Sequence, residues 1–506
     1  MIDKANGIML RFSPNPNAAH LIHWFEWEND AFQKAREQDK PVMLFLSAFW
    51  CRYCQRMDEG PFSERENMAL LNAYFIALRV ENATRPDIDA RYNLNGWPTI
   101  AFFAPLGELL GAVNYLDADE FKELLLNVYM GYQRKKTENP MTKPANESEA
   151  SRARQAEAER SPASILSEIT DTIMALADRV NGGFGNGQKF IHPEANDFLL
   201  CRYEATHDCT YLDHVCLTLD RMRDGAIHDA EGGGYFRTTT GADWSQPHRE
   251  KLLAEQTGLL ANCLGMFRIT QRPEYAQTAE EIIGYLDKKL FDPSKPAFRG
   301  CEDFLRAEGE ARTTADEFFT IIDDCLYTDA NAQAVTAYLE AAATLGRADC
   351  QQRALGVLEF LWSRCRSAED GMYHYYDETT RLPGLLIDQA RMGTALVQAY
   401  SASGEIKYLE RARKLAEFIL TRLTNPDGGY FDLSVCGLDL LKFRLTEIEQ
   451  NGAAAWFCLK LAAAAGEPKY FEAARWALGA FSGDLSSYGI HAAGFGKALG
   501  DWLSRR

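Results

Sequence analysis

"PVMLFLSAFWCRYCQRMDEG", residues Pro41 to Gly60, runs from an unbroken apolar stretch straight into two cysteines, Cys51 and Cys54, and on into helical spacing. A short apolar run bounded by a proline reads as a buried strand, and the spacing after it as a helix. That order places Cys51 at a helix start, where unpaired backbone N–H groups and the macrodipole favour an anion. The thiolate is the attacking species in disulfide exchange, so Cys51 would attack and Cys54 would resolve the mixed disulfide. Trp50 gives an aromatic shoulder, Arg52 a nearby positive charge, and the pair Arg52-Tyr53 between the cysteines suggests an exposed turn. Buried core thiols and half of a zinc site are the competing readings. Zinc needs four ligands, and the chain has neither a second Cys-x-x-Cys nor a nearby His pair to complete the set.

Working outward, Glu26 to Met130 alternates between helical and strand patterns. "WENDAFQKAREQDK" is an amphipathic helix, "IALRVE" and "TIAFFAP" are strands, and "DADEFKELLLNVYMGY" is a closing helix with an acidic start. Alternating elements of this kind predict βαβ units and a partly parallel sheet. "NGWPTIAFF" sets Trp97 and Pro98 directly before a strand. In thioredoxin-like folds a cis-proline at this point packs against the dithiol and leaves the preceding backbone to pair with an extended substrate.

Arg134 to Pro162 is charged, lacks aromatics and reads as a linker. Beyond it strand patterns nearly vanish. Six helical segments end in Gly-rich or Gly-aromatic turns, among them "SILSEITDTIMALADRVNGGFG" and "KYLERARKLAEFILTRLTNPDGGYFD", with partner helices such as "NAQAVTAYLEAAATLG" between them. A single helical hairpin cannot bury its own apolar stripe, whereas a closed ring of six can. The count therefore predicts an (α/α)6 toroid, with an open solenoid as the alternative. The expected organisation is a thioredoxin-like α/β domain with an N-terminal extension over 1–133, a linker over 134–162, and an all-α toroid over 163–506.

Bulk properties bound the partners. A net charge of −18 argues against nonspecific attraction to nucleic acid or anionic membrane. The first residues, "MIDKANGIMLRFSPNPNAAH", lack the pattern of a secretion signal, and no stretch is apolar for long enough to span a bilayer. A cytoplasmic location is the default expectation. Ten of the twelve cysteines lie downstream of the motif, mostly within apolar patterns, and are expected to be buried thiols.

These residues together resemble the YyaL-type thioredoxin-domain-containing family, which includes the spermatogenesis-associated thioredoxin-like proteins. The resemblance runs from Asn17 through the Arg85-Pro86-Asp87-Ile88-Asp89 run and Gly96-Trp97-Pro98. It continues in "GGFGNGQKF" (Gly182–Phe190), "IHDAEGGGYFR" (Ile227–Arg237) and "WSQPHREKLLAEQ" (Trp244–Gln256). It implies a thioredoxin fold joined to a six-hairpin toroid of the glycosidase and N-acylglucosamine 2-epimerase type, with activity poorly defined. Asp229, Arg237, Trp244, Pro247, His248, Glu250, Lys251 and Gln256 fall on the family pattern. The family has His beside the cysteines where this chain has Arg52 and Gln55, and Ala230 and Ile191 also depart from the pattern. Thioredoxins usually carry a buried Asp six residues before the first Cys. Phe45 stands there in this chain, so an acceptor for the resolving thiol's proton is missing or comes from elsewhere.

Sugar chemistry in a toroid funnel needs paired carboxylates or histidines about a sugar carbon. The candidates are Lys189, Asp229, Arg237, Trp244, His248, Glu250, Asp323, Asp324, His374 and Asp388. His248 stands out because "PHREK" is expected to open a helix carrying several ionisable groups. A solvated loop or cap role competes for each carboxylate, and core packing competes for Trp244 and Tyr235. The favoured function is a thiol–disulfide oxidoreductase whose toroid recognises a client or a carbohydrate-like ligand. A sugar isomerase, epimerase or hydrolase with an accessory thioredoxin domain is the alternative, and a non-catalytic scaffold is a weaker one. Expected partners are a protein disulfide client or reductase, or a carbohydrate-like small molecule. No metal or cofactor is called for.

Overall fold

The computed structural model describes residues 2–3, 10–138, 160–306, 318–369, 371–434 and 443–505. Most of the expected linker, 139–159, therefore lies outside the described residues. The chain forms two compact units, the first built on the described residues up to Glu138 and the second on most of those from Arg160 onward. Among the described residues no helix is long and apolar enough to cross a membrane.

The first unit is a five-stranded sheet with helices. Its elements are β1 (Trp24–Phe25), α1 (Asn29–Gln38), β2 (Val42–Ser47), α2 (Arg52–Glu59), α3 (Arg65–Tyr74), β3 (Ile76–Glu81), α4 (Pro86–Tyr92), β4 (Thr99–Phe103), β5 (Leu109–Val113) and α5 (Ala118–Glu138). The strand order is β1-β3-β2-β4-β5, with β1, β3 and β2 parallel and β4 antiparallel to β2. Every residue of β2 is buried, which is why its sequence is apolar from Val42 to Leu46 rather than alternating. Thr99 pairs with Leu46, so Pro98 lies at the same end of the sheet from which the chain leaves β2 toward the cysteines. The helix α5 runs to Glu138, five residues past the expected domain end.

Among the described residues the second unit is a ring of twelve α-helices. The inner six are α7 (Pro193–Thr206), α9 (Leu253–Thr270), α11 (Thr328–Leu345), α13 (Leu386–Ser403), α15 (Ile448–Ala465) and α17 (Ala493–Ser504). The outer six are α6 (Pro162–Leu176), α8 (Cys209–Asp224), α10 (Pro273–Tyr285), α12 (Ala348–Arg364), α14 (Ile406–Phe418) and α16 (Pro468–Gly479). Each inner helix packs on the next, and α17 packs back on α7, so the ring is closed. The solenoid alternative falls on that contact.

One device recurs around the ring. An amide in the first turn of an inner helix clamps both backbone groups of one residue in a preceding turn, in three of four cases the residue directly after a glycine. Gln256 accepts from Tyr235 N at 2.9 Å and donates to Tyr235 O at 2.6 Å. Asn331 does the same at Phe298, at 2.7 and 2.9 Å. Gln389 holds Met372 and Asn451 holds Tyr430 in the same way. All four amides are fully buried. At the Gly234-Tyr235 and Gly429-Tyr430 turns the clamps supply partners for backbone groups that are buried there.

Strands do not vanish from this unit as expected. Short antiparallel strands form at Lys189–Phe190, Thr238–Thr239 and Pro247–His248, and again at Leu326–Tyr327, Tyr373–Asp377 and Thr379–Pro383. They are inter-hairpin loops whose backbones pair with one another, and most are too short for a period-two pattern to register.

The inner helices meet closely. A Cβ added at Gly452 on α15 would lie 2.7 Å from the backbone N of Phe495 on α17 and 2.8 Å from its Cα. Gly452→Ala is therefore expected to force the two helices apart and cost about 1–3 kcal/mol, read as a lower urea midpoint for the toroid.

Candidate functional site

In the first unit Cys51 is the N-cap of α2, and its Sγ accepts the backbone N–H of Cys54 at 3.1 Å. The two cysteines form a disulfide with Cα atoms 5.2 Å apart. Cys51 keeps 6% of its surface and Cys54 keeps 3%. The Trp97–Pro98 peptide is cis. Trp50 meets Trp97 edge to face at 5.2 Å, and Trp97 Nε1 donates to Asp89 Oδ1 at 2.9 Å. Asn114 Nδ2 donates to Pro98 O at 3.0 Å, fixing the cis turn from the neighbouring strand end. Tyr53, about half exposed, packs on Tyr115. Arg52 Nη1 donates to Gln55 Oε1 at 3.2 Å and to Glu59 Oε1 at 3.1 Å along the helix.

In the toroid, five inner helices carry an acid in their first turn: Glu194, Glu255, Asp329, Asp388 and Glu449. Arg391, one turn further along α13, donates to Asp329 Oδ2 at 3.1 Å and to Glu194 Oε1 at 3.2 Å, tying α7, α11 and α13 together. His374 Nδ1 lies 3.0 and 3.1 Å from the two oxygens of Asp388, and both side chains are buried. Burial pushes the Asp388 carboxyl up to about 6, against the pull of His374. Burial likewise pushes Glu255 up to about 8, with the Arg237–Glu250 ion pair as its charged neighbours. His491 is raised by its hydrogen bond to Glu449 at 2.6 Å. This end of the ring therefore offers proton donors and acceptors poised near neutrality.

Asp329, His374 and Asp388 present ligand-type atoms within 4.8 Å of one another. Arg391 already supplies positive charge to Asp329, and both Asp388 oxygens face the His374 ring. The His374–Asp388 bond and the Arg391–Asp329 bond engage all three side chains, an arrangement that suits acid–base chemistry.

The ten toroid candidates divide accordingly. His374 and Asp388 come together as a pair, and Arg237 with Glu250 borders Glu255. Lys189, fully buried, pairs with Asp178 at 2.7 Å and shapes the glycine turn. Asp229 holds Lys251 at 2.6 Å and the backbone of Gly232. Trp244 is fully buried, donating to Asn181 O at 2.8 Å, and Tyr235 is core as well. Asp323 accepts from Tyr327 Oη and Cys325 N. Asp324 is exposed beside Arg299. His248 is exposed on a two-residue strand, and the helix after it starts only at Leu253, because Pro247–His248 and Lys251–Leu252 pair with neighbouring strands instead. Asp329, Arg391, Glu194, Glu255 and Glu449 were missed. For Asp329, Glu449 and Glu255 the signal was an acid two residues before a clamping Asn or one before a clamping Gln, legible only once the clamps are known, while Glu194 and Arg391 carried no such signal.

One buried and one partly buried histidine, His214 and His192, give this unit a pH signature. His192 and His214 are both lowered to about 4 by burial. A depressed pKa contributes stability above the unfolded value of about 6.5 that is lost as pH falls through the folded one. The toroid is expected to weaken between pH 6.5 and 4, by on the order of 3 kcal/mol for each histidine. His214→Leu should flatten that slope in thermal scans at pH 7 and pH 5.

A dithiol capping a helix in a thioredoxin fold, followed in the chain by a closed six-hairpin ring, defines a two-domain thioredoxin–toroid protein. Residues 13–148 match the family model Thioredox_DsbH, described as "Protein of unknown function, DUF255". The chain is 26% identical over 478 residues to "Uncharacterized protein B0495.5" of Caenorhabditis elegans, covering 81% of this chain and 63% of that protein. It is 28% identical over 317 residues to "Spermatogenesis-associated protein 20" of Mus musculus, covering 57% of this chain and 39% of that protein. The chain thus spans less than two thirds of the length of these relatives. A 102-residue stretch is 35% identical to "Thiol:disulfide interchange protein DsbD" of Yersinia pestis, covering 18% of this chain and 17% of that protein. Among solved structures, a D-mannose isomerase superposes with a TM-score of 0.53 at 11% identity, covering 72% of this chain and all of that one. That likeness gives the toroid fold, and the sequence resemblance to the spermatogenesis-associated proteins stands.

Proposed function

We propose that the chain is a thiol–disulfide oxidoreductase acting through Cys51 and Cys54, with the toroid recognising a client or a carbohydrate-like ligand. The observation that carries this is the position of Cys51: its sulfur caps α2 and accepts a helix N–H, which is the setting that favours a thiolate. The Cys51 thiolate attacks a client disulfide, forming a mixed disulfide and releasing one client thiolate. Cys54 then attacks Cys51 Sγ, releasing the second client thiolate and leaving the Cys51–Cys54 disulfide. The client gains two electrons, and an external dithiol reductase returns two to the protein. We place the reaction in the reducing cytosol. Reduction of insulin by the full-length chain tests the reading, with the Cys51→Ser variant as its control.

The buried His374–Asp388 pair supports a second reading, acid–base chemistry on a sugar or similar polyol in the toroid. Isomerisation or hydrolysis of a sugar that survives Cys51→Ser and is lost in His374→Ala would favour it over the first.

A further inference from the structure

Phe45 removes the carboxyl expected in the sheet beneath the dithiol, yet a buried carboxyl is present by another route. Asp58 on α2 is 1% exposed. It stands one helical turn beyond Cys54, so the two side chains share a face, with Cβ atoms about 5–6 Å apart. Its oxygens receive Arg79 Nη1 and Nη2, both at 2.8 Å, and the backbone N–H of Ser13 at 2.8 Å. Arg79 comes from β3, directly opposite Phe45 in the parallel register. Its guanidinium lies over the rings of Phe12, Trp24 and Phe45 at 4.5, 5.4 and 4.9 Å. Trp24, Phe45, Cys51, Cys54 and Met57 form one apolar cluster. An ion pair is thus enclosed in the same apolar cluster as the dithiol.

Two apolar side chains would fill this space without the desolvation cost of a buried pair. A carboxylate next to a thiol that must lose a proton has a chemical use instead. We propose that Asp58, held in place by Arg79, accepts the proton of the resolving thiol Cys54. The inference rests on the oxidoreductase reading above. In the mixed-disulfide state Cys54 gives its proton to the Asp58 carboxylate and its sulfur attacks Cys51 Sγ. The bond from Cys51 to the client breaks, and the client leaves as a thiolate that takes up a proton from Asp58 or water. A carboxylate has about four lone-pair positions, so three accepted bonds leave room for the thiol proton. The charged and polar groups against Asp58 are Arg79 from β3, the backbone N–H of Ser13 and Glu59 beside it on α2, and the helix spacing brings Cys54 to the same face. Burial raises the Asp58 carboxyl while Arg79 opposes the rise, which moves the acceptor toward the thiol range.

The test follows resolution directly. The reduced full-length chain is mixed with oxidised glutathione, quenched in acid at intervals, and the glutathione adduct on Cys51 is followed by mass spectrometry from pH 5.5 to 9. In the wild type the rate of adduct loss is expected to level off well below the ordinary thiol pKa of about 8.5. Asp58→Asn should slow the step about 10²-fold at pH 7 and make it climb tenfold per pH unit, and Asp58→Glu should restore much of the rate. A wild-type rate that itself climbs tenfold per unit through pH 8 overturns the proposal without recourse to any variant. So does an Asp58→Asn profile that overlays the wild type. If the wild type forms no adduct at Cys51, the oxidoreductase reading itself is overturned, an outcome distinct from normal adduct formation with unaltered resolution.

Discussion

Cys51→Ser is expected to reduce disulfide reductase activity at least about 10³-fold, to the background given by dithiothreitol alone in an insulin turbidity assay. A serine hydroxyl at the same N-cap would still accept the Cys54 N–H, so α2 should keep its start and the fold its stability. What is lost is the ionisable sulfur. Cys54 cannot take over, since it is 3% exposed and sits inside the helix rather than at its end. Cys54→Ser is expected to behave differently: attack by Cys51 proceeds and the variant accumulates as a mixed disulfide with its client, visible on a non-reducing gel. Full activity in Cys51→Ser would move the chemistry elsewhere, and the exposed Cys209 would be the first place to look.

How much of this was legible beforehand depends on how local the signal is. The strand, the Cys-x-x-Cys and the helix after it are contiguous in sequence, so their order gave both the element types and the position of Cys51 at a helix end. The six-hairpin count came from repeated helix-to-glycine turns and led to the ring, whose closure rests on α17 meeting α7. The toroid site was harder because its members come from different hairpins. His374 and Asp388 were named singly, but nothing in their separation of fourteen residues says that one ring nitrogen faces both carboxylate oxygens. Arg391 reads as an ordinary helix-surface arginine until α7 and α11 are brought to it. Asp58 was hidden for the opposite reason. In "CQRMDE" it looks like a solvated acid near a helix end, and only Arg79, twenty-one residues away on β3, makes it a buried one.

Lys251→Met is expected to destabilise the toroid by about 3–5 kcal/mol, the cost of removing one partner from a buried ion pair. Lys251 has no exposed surface. Its Nζ donates to Asp229 Oδ2 at 2.6 Å and to Gly233 O at 2.7 Å, and it lies 3.9 Å from Glu302 Oε2. The rings of Phe236 and Tyr285 lie 4.9 and 4.8 Å away, with Tyr285 Oη donating to Glu302. Methionine fills the volume but leaves two carboxylates facing each other's field and the Gly233 carbonyl without its donor. Asp229→Asn should cost less, about 1–3 kcal/mol, because an amide oxygen still accepts the turn N–H groups of Glu231 and Gly232. The double variant should cost less than the sum, since removing both charges leaves neither stranded. Urea unfolding of the full chain, read on the toroid transition, measures all three. Both residues fall on the family pattern, and these numbers decide what that pattern means there. A large, non-additive loss makes Asp229 and Lys251 the fastening of a Gly-rich turn onto α9. A loss under about 0.5 kcal/mol would leave the pair without a structural reason and return Asp229 to the list of chemical candidates.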